Sequence, residues 1–385
     1  MYQHKFDYYK EKLDKLKQTS NLRTVKNIVQ DGKYVIFENK KLLNLSSNDY
    51  LSISIDNNIK DNFLSSYKGK IQNPSARLLS GSNKIYNELE EKLKTILNKE
   101  SSLLFNSGYH ANVGIYSSLL NKDDVVFIDK LNHASIIDGI KLSGAKLIPF
   151  NHLDYQNLEE KLVKYRKNYK NSIISTETLF SMDGDFSDIK KLVELKNKHD
   201  SFLIADEAHT FGVYGKGRGY VFESNLINEV DLIMGTFGKA IGSYGAFAAG
   251  NKILIDYLIN YARSFIFSTA LPEISVQFTN YVIDNYILDK DKLQNKLFDI
   301  TNYTHQKFKN LNILGTSYII PVLTGDSKLA LELSNKLIKE GFYILPIRYP
   351  TVKKGLERIR VSLNPSITKD EIDKLYSIIN EASFK

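Results

Sequence analysis

Apolar and polar positions alternate along this chain in two rhythms, and the change between them marks its architecture. Near the amino terminus Phe6, Tyr9, Leu13 and Leu16 recur at helical spacing among lysines, which predicts an amphipathic helix over residues 1–30. A short extended piece follows at residues 33–38, closed by polar turn residues. From about residue 86 to 250, short apolar runs at residues 102–105, 125–128, 173–175, 202–205 and 232–234 alternate with helical stretches such as 155–169 and 188–198. Strands alternating with helices predict an α/β fold with a mostly parallel central sheet. Near residue 280 the pattern turns to long Lys/Asn/Leu-rich helical sequence and then to runs at 318–323, 342–346 and 359–363, as in a smaller α+β domain. The expected division is an N-terminal helical and extended segment over 1–45, a large α/β domain over 46–280 and a small C-terminal α+β domain over 281–385.

Composition narrows the class. The 385 residues are 42% hydrophobic, 25% charged and 11% aromatic, enough apolar side chain for two cores and too much for a disordered chain. The most apolar stretch, residues 232–250, is interrupted by Lys239 and by Gly235, Gly238, Gly242 and Gly245, so no membrane span is expected. The first residues lack the apolar core of a signal peptide, and zero cysteines exclude disulfides, thiolate metal sites and a cysteine nucleophile. A cytoplasmic location and no metal are the corresponding expectations. The net charge of +8 comes from basic residues interspersed with acidic ones, a pattern of solvated helix faces that predicts neither a nucleic-acid nor a membrane partner.

Two apolar runs end in reactive residues. Residues 202–205 lead into Asp206-Glu207-Ala208-His209, and residues 231–234 lead into Gly235-Thr236-Phe237-Gly238-Lys239-Ala240. Ligands of open α/β sheets sit beyond the carboxyl ends of the strands, so both clusters are expected at one crevice. A lysine in a Gly-rich, apolar setting can act as an amine nucleophile toward a carbonyl. A carboxylate at the end of a buried strand is what the ring nitrogen of pyridoxal phosphate requires. Asn106-Ser107-Gly108-Tyr109 before a helical stretch offers backbone N–H groups to a phosphate.

Each feature also has a plainer meaning. A lone lysine is usually a surface lysine, and a lone His133 is usually structural or exposed. Asp206-Glu207-Ala208-His209 spells a helicase tetrad, but no G-x-x-x-x-G-K-[ST] phosphate loop precedes it. Gly215, Gly217 and Gly219 match a dinucleotide fingerprint only loosely and do not open a helix as that motif requires.

Taken together, seven segments in fixed order carry a specific resemblance: Asn44-Leu45-Ser46-Ser47-Asn48-Asp49-Tyr50-Leu51, Phe105-Asn106-Ser107-Gly108-Tyr109-His110-Ala111-Asn112, Asn132-His133-Ala134-Ser135, Phe180-Ser181-Met182-Asp183-Gly184-Asp185, the Asp206 and Lys239 clusters, and Phe267-Ser268-Thr269-Ala270-Leu271-Pro272. The chain resembles the α-oxoamine synthases, pyridoxal-phosphate enzymes of the aspartate-aminotransferase-like fold type I, from about residue 20 to its end. The resemblance implies that Lys239 holds pyridoxal phosphate as a Schiff base and moves protons, that Asp206 pairs with the ring nitrogen, that His209 bonds the phenolic oxygen, and that His133 stacks on the ring. It implies cofactor contacts at Gly108, Tyr109, Ser181 and Thr236, and at Ser268 and Thr269 from a neighbouring subunit, hence a homodimer. It places the amino-acid carboxylate at Asn48 and one arginine of Arg358-Ile359-Arg360, with Arg360 the better match, and further substrate contacts at Arg23, Arg348 and Thr351.

The branch resembled joins L-alanine to a pimeloyl thioester, carried by coenzyme A or acyl carrier protein, in biotin biosynthesis. Sister branches use glycine with acetyl- or succinyl-CoA, or serine with a long acyl chain, and a non-catalytic protein retaining the fold is the rival from another class. The chain departs from the family pattern at residues 73–81, where many relatives are Gly-rich, at Tyr86 for a common His, at Ser52 for a usual Gly, and after Arg360 at Asn364-Pro365-Ser366-Ile367-Thr368. These bear on acyl-chain and carrier preference rather than on Lys239, Asp206 or His209.

Overall fold

A computed structural model describes residues 4–19 and 21–382. The chain divides into two compact units: residues 48–181 with 186–295, and residues 1–47 with 182–185 and 296–385.

The larger unit is built on a seven-stranded sheet. In chain order its strands are β1 (Ser101–Phe105), β2 (Val125–Asp129), β3 (Lys146–Phe150), β4 (Ser172–Glu177), β5 (Phe202–Asp206), β6 (Leu232–Thr236) and β7 (Ala246–Gly250). They lie in the order β1-β7-β6-β5-β4-β2-β3; β7 runs antiparallel to both of its neighbours and every other pairing is parallel. The inner strands β2, β4, β6 and β7 are buried at every position, which explains the mostly apolar sequence of β2, β6 and β7; β4 instead buries Ser172, Ser175, Thr176 and Glu177 beside Ile173 and Ile174. One core cluster packs Phe105, Val126, Ile204 and Met234 of the sheet against Ile115 and Tyr116 of the helix Gly108–Leu119 and Ile136 of the helix Ala134–Ser143.

In parallel pairs the register fixes which residues emerge together. Glu177 and Asp206, the last residues of β4 and β5, are paired, and Asp206 is also paired with Met234 of β6. The loops that follow therefore leave the sheet at one edge. Residues 215–219 form a tight turn with positive φ at each glycine, and Gly219 is obligatory because a Cβ there would lie 2.4 Å from Glu207 Oε2. That turn lets the buried Glu207 accept the N–H groups of Tyr220 and Val221 at 2.8 and 2.7 Å.

The smaller unit holds two sheets. One runs Val29–Asp31, Tyr34–Phe37, Lys40–Asn44, Phe342–Tyr343, and the other, antiparallel, runs Ile319–Leu323, Arg358–Ser362, Pro346–Ile347. The division differs from the three segments expected from sequence pattern, because Lys40–Asn44 pairs in parallel with Phe342–Tyr343 and so ties the N-terminal residues to the C-terminal ones. The N-terminal helix is also shorter than the periodicity suggests. It spans His4–Gln18 and stops where Thr19 turns its hydroxyl back to the Lys15 carbonyl at 3.0 Å, the competition with backbone bonding that disfavours Thr, Ser and Asn in helices. Its Phe6, Tyr9, Leu13 and Leu16 are exposed in the single chain.

Candidate active site

Lys239 lies in the turn after β6, half-buried, with its Nζ 2.7 Å from His209 Nε2. His209, in the turn after β5, is itself buried, and its Nδ1 is 2.7 Å from the Tyr50 hydroxyl. Asp206 ends β5. Its Oδ2 accepts from Asn112 Nδ2 at 2.9 Å and its Oδ1 from the Ala208 N–H at 2.8 Å, so the carboxylate is fixed in place by a helix side chain and its own loop. Asn112 also donates to Ser135 Oγ at 3.0 Å, which ties two helices to the same carboxylate.

His133 caps the helix Ala134–Ser143, its Nδ1 accepting from the Ser135 N–H at 3.2 Å. Protein packed around the imidazole lowers its pKa below the ordinary value; Asp206 pulls it up and Lys239 pushes it down, which places the ring within reach of both charges. Glu177 is fully buried beside Asp206, and burial first, then the Asp206 charge, raise its pKa well above the ordinary carboxylate value. Burial thus favours the neutral form of this carboxyl, and its Oε1 has no hydrogen-bond partner among the described residues.

Ser107 caps the helix Gly108–Leu119 by accepting the His110 N–H on its side chain. Gly108 lies beside β6, where a Cβ on it would make an ordinary contact with Thr236 Cβ at 3.7 Å. Thr236 is buried with its hydroxyl on the Gly245 carbonyl at 2.8 Å. Tyr109 is exposed and donates to Asp138 at 2.6 Å. Ser268 Oγ and the Thr269 carbonyl both accept from Asn106 Nδ2, at 2.7 and 2.8 Å, immediately before that helix. Ser181 lies half-buried in the turn beyond β4. The larger unit thus brings together Lys239, His209, Asp206 and His133 and sets Gly108 beside Thr236, while Ser268 and Thr269 meet Asn106 of the same chain. Asn48 belongs to the same unit, its Oδ1 taking the Tyr50 hydroxyl at 2.9 Å.

The remaining expected residues lie in the smaller unit. Arg23 Nη2 donates to Thr351 Oγ1 at 2.9 Å. Burial and the charge of Arg23 lower the pKa of Arg348, so two guanidiniums stand close together there. All three residues line a groove of about 830 Å³ together with Lys26, Lys40 and Lys339. The two arginines of residues 358–360 are separated clearly. Arg358 is committed to structure, donating to Asp183 Oδ1 at 2.8 Å and to the Met182 and Leu356 carbonyls. Arg360 is buried and donates to Ser362 Oγ at 2.9 Å.

Three participants were not singled out from the sequence: Asn112, Glu177 and Tyr50. The first two carried a signal. Asn112 is a polar residue on the buried face of its helix, beside Ala111 and Ile115, and Glu177 is a carboxyl ending an otherwise uncharged buried strand.

The pattern of the family described as aminotransferase class I and II matches residues 40–379. A Haemophilus influenzae (strain 86-028NP) protein provisionally named 8-amino-7-oxononanoate synthase is 40% identical over 380 residues, covering 97% of this chain and all of its own length. A protein of the same provisional name from Neisseria meningitidis (strain FAM18) is also 40% identical, over 94% of this chain and 97% of its own. Among solved structures, Sphingomonas wittichii serine palmitoyltransferase superposes with a TM-score of 0.87 at 26% identity, covering 98% of this chain and 97% of its own. A high-resolution structure of SPT with PLP gives 0.88 at 25%, covering 99% and 98%. The 8-amino-7-oxononanoate synthase of Francisella tularensis gives 0.75 at 29% identity, over 88% of this chain and 97% of its own. The chain therefore belongs to the aminotransferase class I and II family, and within it to the α-oxoamine synthases, as a pyridoxal-phosphate-dependent acyltransferase of fold type I that resembles 8-amino-7-oxononanoate synthase.

Proposed function

We propose that this chain joins L-alanine to a pimeloyl thioester, carried by coenzyme A or acyl carrier protein, giving 8-amino-7-oxononanoate, carbon dioxide and the free thiol for biotin biosynthesis. It would act as a cytoplasmic homodimer with Ser268 and Thr269 of one subunit serving the other's cofactor site. The observation that carries the acyl half is the meeting of Arg23, Arg348 and Thr351 in one groove. Two guanidiniums beside apolar side chains suit an acyl chain that ends in a carboxylate. The names of the relatives that are 40% identical support the same reading.

The residues around Lys239 fit pyridoxal phosphate part by part: an amine for the aldehyde, a carboxylate for the ring nitrogen, and a capped, glycine-led helix start for the phosphate. When bound, the cofactor withdraws electrons from the amino acid's Cα. Lys239 Nζ would hold it covalently, yield its place to the amino acid, and then take and return the Cα proton. Asp206, fixed by Asn112 and the Ala208 N–H, would keep the ring nitrogen protonated, and His209 would bond the phenolic oxygen. His133 would cover the ring, with Gly108, Tyr109, Ser181 and Thr236 among the remaining cofactor contacts. Asn48 and Arg360 would hold the amino-acid carboxylate, since Arg358 is already bonded to Asp183. The new bond joins Cα to the thioester carbonyl carbon, the C–S bond breaks, and the original carboxyl leaves as carbon dioxide.

A second reading, serine with a long acyl chain, is favoured by the close superposition on serine palmitoyltransferase. Thiol release distinguishes them when alanine, glycine and serine are crossed with pimeloyl-, acetyl-, succinyl- and palmitoyl-CoA and with pimeloyl-acyl carrier protein. Release with alanine and a pimeloyl donor, with the aminoketone identified by mass, is the expected result. Release only with serine and palmitoyl-CoA, or only with glycine and a short donor, would overturn the proposed substrate pair.

A further inference from the structure

We infer that Tyr50 is a positioning residue that sets the tautomer of His209 and thereby the direction of the hydrogen bond to Lys239. Tyr50 is completely buried, and its hydroxyl lies 2.9 Å from Asn48 Oδ1 and 2.7 Å from His209 Nδ1. An amide carbonyl can only accept, so the phenolic proton points to Asn48. The lone pair of Tyr50 Oη then faces Nδ1, which must carry the imidazole proton. The opposite nitrogen, Nε2, is left as an acceptor 2.7 Å from Lys239 Nζ. Lys239 donates to His209, His209 to Tyr50, and Tyr50 to Asn48, and bonds aligned in one sense reinforce one another.

The local chain holds the hydroxyl at that point. The Tyr50 N–H bonds the Asn48 carbonyl at 2.9 Å, and Asp49 accepts from the N–H groups of Ile53 and Ser54 at 3.0 and 2.9 Å, which pins the turn on both sides. The Tyr50 and His209 rings lie 5.8 Å apart, centroid to centroid. The device has a chemical consequence. With Nε2 as acceptor, Lys239 can donate whether it is an amine or an ammonium. With a proton on Nε2, only the neutral amine could face His209. Asn48, proposed above to meet the amino-acid carboxylate, stands at the other end of the same line, so the substrate side and the proton-moving lysine are joined through Tyr50.

The inference depends on the proposed role of Lys239 only for its effect on turnover, so its test uses the cofactor-free protein. Nitrogen NMR of ¹⁵N-histidine-labelled protein, with His209 assigned by loss of its signals in His209→Gln, reads the tautomer directly. The wild type is expected to carry its proton on Nδ1. Tyr50→Phe keeps the ring, removes the acceptor, and is expected to move the proton to Nε2. Asn48→Ala keeps the tyrosine but frees its O–H to donate to Nδ1, and is expected to move it likewise, so the idea survives a failure of either variant to fold. Loading with pyridoxal phosphate should then show a shifted pH midpoint for the cofactor's visible band in both variants. A wild-type proton on Nε2, or folded variants that keep the wild-type tautomer and midpoint, would reduce Tyr50 to a packing residue. That failure differs from absence of cofactor on Lys239, which would strike the functional reading instead.

Discussion

Arg358 and Asp183 form an ion pair at 2.8 Å in which the arginine side chain is only 1% exposed. Arg360, two residues along the same strand, donates instead to Ser362. The two arginines therefore have different expected losses. Arg358→Leu leaves Asp183 without its partner and is expected to cost about 3–5 kcal/mol of stability, read as a lowered urea midpoint. Arg360→Lys is expected to keep the wild-type midpoint within error while raising KM for the amino acid about tenfold or more, because an ammonium cannot reproduce a planar fork. A reversed pattern would assign the carboxylate to Arg358.

Asp206 is held by Asn112 and the Ala208 N–H before any ligand arrives. Asp206→Asn retains the shape and is expected to lower kcat by about 100-fold or more, as loss of a preorganised charge does. Asn112→Ala leaves the charge but not its anchor, and a smaller loss of kcat with weakened cofactor binding is expected. Wild-type kcat in Asp206→Asn would refute the role given to that carboxylate.

Glu177 offers a pH test independent of turnover. In the unfolded chain it loses its proton near the ordinary value of 4.5, whereas in the folded chain burial holds that proton to well above it. Between those points the folded state binds more protons, so rising pH takes stability away. Urea midpoints of cofactor-free Glu177→Gln, measured at pH 5 and pH 7, should therefore fall less with rising pH than those of the wild type. Parallel changes in the two proteins would mean that Glu177 is ionised in the folded state.

Ser52 sits at φ 59°, in the left-handed region, at the position where the family usually has glycine. Ser52→Gly is expected to raise stability by about 0.5–1 kcal/mol, since glycine reaches that conformation without strain. An unchanged or lower urea midpoint would show that the serine side chain compensates. Tyr86, a second departure, is a core residue: it is fully buried, its hydroxyl donates to the Leu271 carbonyl at 2.6 Å, and Arg77 stacks on its ring.

The parallel strands that carry Asp206 and Lys239 were readable because burial on both faces forces continuous apolar runs. Two strands of the seven-stranded sheet escaped for identifiable reasons. β3 is an edge strand containing Pro149 and the exposed Lys146, and β7 is written in Ala and Gly, which signal strand weakly. The grouping of the chain's two ends was hidden because it rests on backbone pairing between residues 40–44 and 342–343, far apart in sequence. The reactive residues stood out as chemistry at strand ends. Their supports did not, because Tyr50 is tied to Lys239 only through His209 in three dimensions, and an unassigned tyrosine in sequence says nothing about where its hydroxyl points.

The measurement that tests the account most directly is borohydride reduction of the purified protein after loading with pyridoxal phosphate, followed by digestion and mass spectrometry of every lysine peptide. A single pyridoxyl-phosphate adduct on Lys239, with loss of the visible band in Lys239→Ala, is the expected result. An adduct on another lysine with Lys239 unmodified, or full colour in Lys239→Ala, would contradict the assignment of this site.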